Sequence, residues 1–329
     1  MNRREFIAFL GSGAAFRARI ACAQQTTLPV VGFVYGGSAE SNPDFVSAFR
    51  KGLNEKGYIE GQNVTVEYHW LGGRYDRLSP LMADLVGRRV AVIATPGTTV
   101  AAIAAKAATA TVPIVFGVAE DPVRLGLIAN LAHPGSNATG INFFLGELAA
   151  KRLRLLHDLV PNAVRIAVLV NPASSSTTEA QLREAQKVTP SLGLQIQMIL
   201  KASTIDEIDM AFTALERDRP DALVVAADPF FGSRAAQLAS LTVRGRIPAA
   251  FSGRNYAAAG GLMSYGSDIA DSFYQVGVYV GKILSGEKPA DLPVLQPTKF
   301  EFVINLQTAR ALGVEVPPAV LSIADETIE

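Results

Sequence analysis

Two stretches of this chain echo one another. "VIATPGTTVAAIAAKAATATVPIVF" (92–116) and "VVAADPFFGSRAAQLASLTVRGRIPAAF" (224–251) both begin with an apolar run, an x-Pro turn and an alanine-rich segment. Each then reaches a Val-Pro or Ile-Pro step and a second apolar run ending in Phe. The proline spacings, Pro96 to Pro113 and Pro229 to Pro248, are nearly equal. An apolar run, a helix and a second apolar run describe a βαβ unit, whose two strands are parallel and whose faces are both covered. One unit in each half predicts two equivalent α/β lobes.

The rest of the chain fits that frame. Short apolar runs alternate with amphipathic stretches of helical period, the pattern of a parallel sheet with helices on both faces. Expected strands include 30–35, "NVTVEYHW", "ATGINFF", "VRIAVLVNP", "LQIQMIL", "DALVVAAD", "IPAAFSG" and "LMSYG". Helices are expected from Asn42-Pro43 to Gly57, and over "RLSPLMADLVG", "GELAAKRLRLLHDLVP", "TTEAQLREAQKVTPSLG" and "DSFYQVGVYVGKILSG". The fold class expected is α/β, with two doubly wound Rossmann-like lobes of parallel sheet joined by a three-segment hinge. Lobe 1 takes 28–143 plus about 268–290, and lobe 2 takes 146–265 plus about 300–329. The crossovers fall near 143–146, 265–268 and 289–299.

Composition narrows the function. Apolar residues make up 49% of the 329 and charged residues 18%, with thirty basic against thirty acidic side chains. Such balance provides no field to recruit nucleic acid, which is therefore not an expected partner. "MNRREFIAFLGSGAAFRARIACAQQ" has a basic start, an apolar stretch and a small-residue Ala21-Cys22-Ala23 site. That order reads as an export signal over 1–23, of general secretory or twin-arginine type, cleaved before Gln24. Its apolar run is too short for a span that needs about 20 residues. Cleavage there removes Cys22, the only cysteine. The mature chain is expected to be periplasmic and not membrane-spanning.

In open parallel sheets, ligands bind outside the carboxyl ends of the strands. In the first half those ends carry Tyr35, Ser38, Thr95, Thr98, Thr99, Glu120 and Asp121; in the second, Asn171, Ser174, Asp228, Phe230 and Tyr265. Thr98 and Thr99 open a helix, so they either cap it or join its N-terminus in holding a carboxylate. Asp228, before Pro229 and two aromatics, is either an N-cap or the partner of an ammonium beside an apolar face. Glu120 and Asp121 offer a cation contact or a helix start. Tyr265, at the end of a strand near a crossover, suits a ligand or hinge role.

Three scattered histidines and the absence of any nucleophile elbow, P-loop, dinucleotide fingerprint or zinc motif give no support to catalysis, a metal or a cofactor. A binding protein is the expectation. A ligand sensor or a periplasmic enzyme on the same fold stays open.

"LAHPGSNATGI", "AADPFFGSRAAQLASL", the long block from "IPAAFSGRNYAAAGGLMSYGSD" to "LPVLQPTKFEFVINLQTARALG", and "VPPAVLSIADETIE" resemble ABC-transporter substrate-binding proteins of the type-I periplasmic binding fold. The similarity is to the subfamily with tryptophan- and tyrosine-type binding components. The resemblance implies closure of two lobes on a small ligand, an amino acid or similar carboxylate, and delivery to a permease with its ATPase. It also implies Ser38, Thr98 and Thr99 as carboxylate contacts, and Asp228 and Tyr265 as amine contacts.

Overall fold

In the computed structural model the described residues are 28–39, 43–143, 145–297 and 299–329. The expected export signal and Asn42 lie outside them. The chain begins β1 (Val30–Tyr35), α1 (Pro43–Glu55), β2 (Thr65–Trp70), α2 (Leu78–Gly87), β3 (Val92–Thr95), α3 (Thr99–Ala108), β4 (Ile114–Val118) and β5 (Ala138–Asn142). It continues α4 (Leu145–Leu159), β6 (Arg165–Val170), α5 (Ser175–Val188), β7 (Gln195–Lys201), α6 (Ile205–Asp218), β8 (Ala222–Val225), α7 (Pro229–Gly232), α8 (Ala235–Arg244), β9 (Ala249–Phe251), α9 (Arg254–Ala258) and β10 (Met263–Ser267). It ends α10 (Ile269–Leu284), β11 (Phe300–Asn305), α11 (Leu306–Leu312), α12 (Pro318–Leu321) and β12 (Glu326–Ile328).

Two sheets result, ordered β2-β1-β3-β4-β5 and β12-β11-β10-β9-β8-β6-β7. In the first every strand is parallel to its neighbours. Five strands of the second, β7-β6-β8-β9-β10, repeat that order and direction. The echoing stretches become β3-α3-β4 and β8-α7-α8-β9, in equivalent places of the two lobes. The second differs in that its helix is broken at Ser233-Arg234 into α7 and α8. β11 also departs from the expected parallel sheet, running antiparallel to β10. The chain reaches β11 from the hinge, where β10 ends, so it must travel back along the sheet. Three short elements, α9, α12 and β12, have too few residues to show a period and were not expected.

Strand alternation sends apolar residues to both faces of each sheet. In lobe 1, Val31, Phe33 and Tyr35 pack with Phe49 of α1 and Phe273 and Val276 of α10, while Val34 meets Leu85 of α2 and Ala101 of α3. In lobe 2, α4, α5 and α11 cover one face, and α6 to α9 the other. α10 follows lobe 2 in sequence yet packs along α1 in lobe 1. The chain therefore crosses between lobes after β5, after β10 and before β11. Next to the last crossing, Leu295 bridges to Ile141 at the edge of β5.

Glycine makes the α1–α10 contact possible. A Cβ on Gly277 would stand 2.1 Å from Phe49 O and 2.9 Å from Leu53 N. We predict that Gly277→Ala forces these two backbones apart, lowering stability by about 1–3 kcal/mol in urea unfolding, the ordinary cost of overpacking.

Candidate functional site

Between the lobes lies a cleft with about 770 Å³ of empty space, counting the part open to solvent. It stands at the switch point of both sheets, off the ends of β1 and β3 on one side and of β6 and β8 on the other. Across its mouth, the loop after β1 meets the start of α7. A Cβ on Gly36 would lie 3.2 Å from Pro229 Cβ, and one on Gly37 3.2 Å from Pro229 O. The lobes are thus closed on each other, and glycines permit the approach. α3 and α5 meet across the same cleft with their N-terminal residues in its lining.

Asp228 is the only carboxyl group among the described lining residues, which include no Lys, Arg or His. It caps α7, with Oδ1 accepting from Phe230 N at 2.9 Å and from Asn171 Nδ2 at 3.0 Å. Its Oδ2 accepts from Ser174 Oγ at 2.6 Å. Gln181 of α5 grips both backbone groups of the preceding Ala227, at 2.7 and 3.0 Å, and so holds the carboxylate in place. Burial pushes the Asp228 carboxyl above its ordinary 3.8, and the bonds from Ser174, Asn171 and the Phe230 and Phe231 N–H groups pull it back only in part. No cation among the described residues forms an ion pair with it. Such a charge is costly in the empty protein and favours a positive partner.

Three phenols surround this carboxylate. Burial first, and the Asp228 charge second, raise the pKa values of Tyr35, Tyr75 and Tyr256. The Tyr75 and Tyr256 hydroxyls are buried without a well-formed hydrogen bond, with Ser174 and Ser252 as their near neighbours.

The hydroxyls that ordinarily cap helices are engaged elsewhere. Thr98 stands at the N-cap of α3 without capping it, because Oγ1 accepts from Gly36 N at 2.9 Å. Ser174 stands at the N-cap of α5 and donates to Asp228 instead. Both helix N-termini thus meet the cleft without a side-chain cap, as anion-binding sites do. The Thr98 hydroxyl has only a 3.5 Å approach to Pro96 O for its proton, so it retains donor capacity. Thr99 has none, since Oγ1 donates to Glu120 Oε2 at 2.8 Å and accepts from Ala119 N at 3.1 Å. Phe45, Phe143, Ile269 and Phe273 add an apolar part to the lining, with Phe45 and Phe273 centroids 4.8 Å apart.

Of the residues singled out in the sequence, Tyr35, Thr98, Thr99, Ser174 and Asp228 line the cleft, and Asn171 stands behind Asp228. The others fall outside the lining. Ser38 is half-buried in the loop after β1, and Thr95 is fully buried with Oγ1 unbonded. Glu120 orients Thr99 and leaves Oε1 buried and unpaired, whereas exposed Asp121 accepts from Val123 N in a turn. Phe230 points into the lobe 2 core beside Phe231 and Leu238, because α7 turns its apolar side onto the sheet. Tyr265 stacks on Phe300 at 6.3 Å, since its alternation on β10 faces it to the α4 side. Tyr75, Thr177, Tyr256 and Phe273 were missed. The strand-end rule reaches Tyr75 after β2 and Tyr256 after β9 when applied to every strand, but Phe273 has no such signal.

Two doubly wound lobes closing on a cleft at their switch points are the architecture of a type-I periplasmic binding protein. Residues 30–328 match the family described as ABC transporter substrate binding protein, and the chain belongs to that family. A curated relative, the tyrosine-binding protein of Clostridioides difficile (strain R20291), is 26% identical over 270 residues, covering 81% of this chain and 76% of its own. Among solved structures, the ABC domain in complex with L-Trp from Streptococcus pneumonia has a TM-score of 0.79 at 25% identity. The match covers 92% of this chain and 100% of that one. A conserved domain protein from Vibrio cholerae O1 biovar eltor gives 0.80 at 26% identity, over 91% of this chain and 99% of that one. No helix among the described residues is long and apolar enough to cross a membrane.

The Asp228 environment makes a stability prediction whose sign is opposite to that of an ion-paired carboxylate. Its folded pKa is raised, so above 3.8 the folded ligand-free protein keeps a proton that the unfolded chain has released. Stability from this group therefore falls as pH rises through the raised value. Asp228→Asn should melt higher than the parent at pH 7, with the gap closing near pH 3, in calorimetric scans of ligand-free protein.

Proposed function

We propose that the chain is the exported receptor of an ABC importer and that its ligand is an amino acid with an aromatic or other apolar side chain. The observation that carries the reading is the buried Asp228 carboxyl group, with no cation among the described residues, in the same cleft as a helix N-terminus with no side-chain cap. A zwitterion answers both. Its ammonium would meet Asp228 and the surrounding phenols, and its carboxylate the α3 N-terminus and the Thr98 hydroxyl. The side chain would pack on Phe45, Phe143, Ile269 and Phe273. The names of two relatives, one a tyrosine-binding protein and one solved with L-Trp, support an aromatic ligand.

Binding energy would come from bridging the lobes, so ligand would shift the population toward the closed arrangement that a permease and its ATPase recognise. The protein would bind and release its ligand unchanged. An N-terminal signal would send it to the periplasm, by the general secretory or the twin-arginine route.

Calorimetry with L-tryptophan, L-tyrosine, tryptamine and indole-3-propionate tests the ligand. The amino acids should bind most tightly, and Asp228→Asn should cost them about tenfold or more, the value of a charge-assisted bond. Thr98→Val should weaken indole-3-propionate and spare tryptamine. No binding of any of the four would overturn the reading. Mass spectrometry of the secreted protein should find Gln24 as its first residue.

A further inference from the structure

The loops that follow β1 and β2 form one lip on lobe 1. Gly73 N donates to Gly36 O at 2.9 Å and Gly72 N to Gly37 O at 3.1 Å, which ties the two Gly-Gly turns together. Gly72 and Gly73 have φ of +56° and +84°, the left-handed region that glycine enters without strain. Gly36 meets Pro229 across the cleft mouth, and Gly73 reaches the next residue of lobe 2. A Cβ on Gly73 would stand 3.1 Å from Phe230 Cδ2, 3.3 Å from Phe230 Cγ and 3.5 Å from Ser203 O. One on Gly72, in the same turn, would meet nothing within 4 Å.

Phe230 is thus packed from both lobes. In lobe 2 it joins the core with Leu238 and with Phe231, whose ring centroid is 5.7 Å away. The Gly73 backbone of lobe 1 lies over the ring and contributes to its near-complete burial. Phe230 is not part of the cleft lining, so this contact is between the lobes alone. Both of its ends are nevertheless bonded to the site. On lobe 1, the Gly36 that accepts from Gly73 donates through its own N–H to Thr98 Oγ1 at 2.9 Å. On lobe 2, Phe230 N donates to Asp228 Oδ1 at 2.9 Å.

We propose that Phe230 is a positioning residue for binding, which seats lobe 1 through Gly73 and keeps part of the ligand-free population closed. It acts on affinity without touching the ligand. Apolar contact is non-directional, so this seat adds to closure whatever occupies the cleft. A receptor whose closed fraction falls loses affinity for every ligand by the same factor. The cleft lining then sets which ligand is preferred, and the Gly73–Phe230 seat sets how tightly any of them is held. The affinity part of this inference rests on the amino-acid reading; the closure part does not.

The test compares Gly73→Leu with Gly72→Leu, and Phe230→Leu with Phe231→Leu. Both glycine variants carry the strain of a left-handed backbone, but only Gly73→Leu drives a side chain into the seat. Both phenylalanine variants remove the same volume from the lobe 2 core, but only Phe230→Leu alters the contact with Gly73. In small-angle X-ray scattering of the ligand-free proteins, Gly73→Leu and Phe230→Leu should have a larger radius of gyration than the parent. Gly72→Leu and Phe231→Leu should match the parent. In calorimetry, Gly73→Leu and Phe230→Leu should weaken L-tryptophan, indole-3-propionate and tryptamine by one common factor of about tenfold. Their two controls should leave all three affinities unchanged. An unchanged radius of gyration for Gly73→Leu, equal effects of the Gly72 and Gly73 variants, or weakening confined to one probe would overturn the proposal. If the parent binds none of the probes, the amino-acid reading fails, and the ligand-free scattering still decides whether the seat holds the lobes together.

Discussion

The structure is organised around a buried carboxyl group, Asp228, that no cation among the described residues pairs. Asp228 sits at the end of β8, held by Asn171, Ser174 and the Phe230 N–H, with Gln181 fixing the strand end beneath it. Those bonds set its position and reduce the cost of its burial, but none of them brings a positive charge. A carboxylate left in this condition raises the energy of the empty protein and lowers that of any complex that supplies a cation.

Helix capping is subordinated to the same end. Thr98 and Ser174 occupy N-cap positions with the right chemistry, yet one hydroxyl serves the loop carrying Gly36 and the other serves Asp228. The helices retain unsatisfied N–H groups where they meet the cleft, which is the condition for receiving an anion. Near these groups, glycines let the loop after β1 come against Pro229 across the cleft mouth. In the closed arrangement the two walls stand together, and under the proposed function a ligand that bridges them would stabilise it.

The lobes were legible because βαβ units write their topology into local patterns: apolar runs bounded by turns, with helical period between them. The echo of 92–116 in 224–251 is a direct reading of this kind, and the two segments occupy equivalent strand positions. Asp228 and Thr98 were legible as strand-end residues, a rule of topology more than of contacts. Tyr265 and Phe230 obeyed the same rule but fall outside the lining, because one residue's step along a strand or a short helix turns a side chain from the cleft to the core. Phe273 was not legible at all, since it belongs to a helix that follows lobe 2 in sequence and packs in lobe 1.

The sequence by itself determined the two-lobed α/β architecture and the strand ends from which a site is built, because both are encoded in spacing along the chain, and particular stretches of it carried the resemblance to the family. Only the tertiary structure decided which hydroxyls are spent on protein groups and which keep a proton to give. It also decided that Asp228 is buried without a cation among the described residues, and that Arg152, an ordinary helix residue by pattern, is a buried guanidinium with no described acid paired to it. Partnership and burial depend on groups brought from distant parts of the chain, and no local pattern records what stands beside a charge.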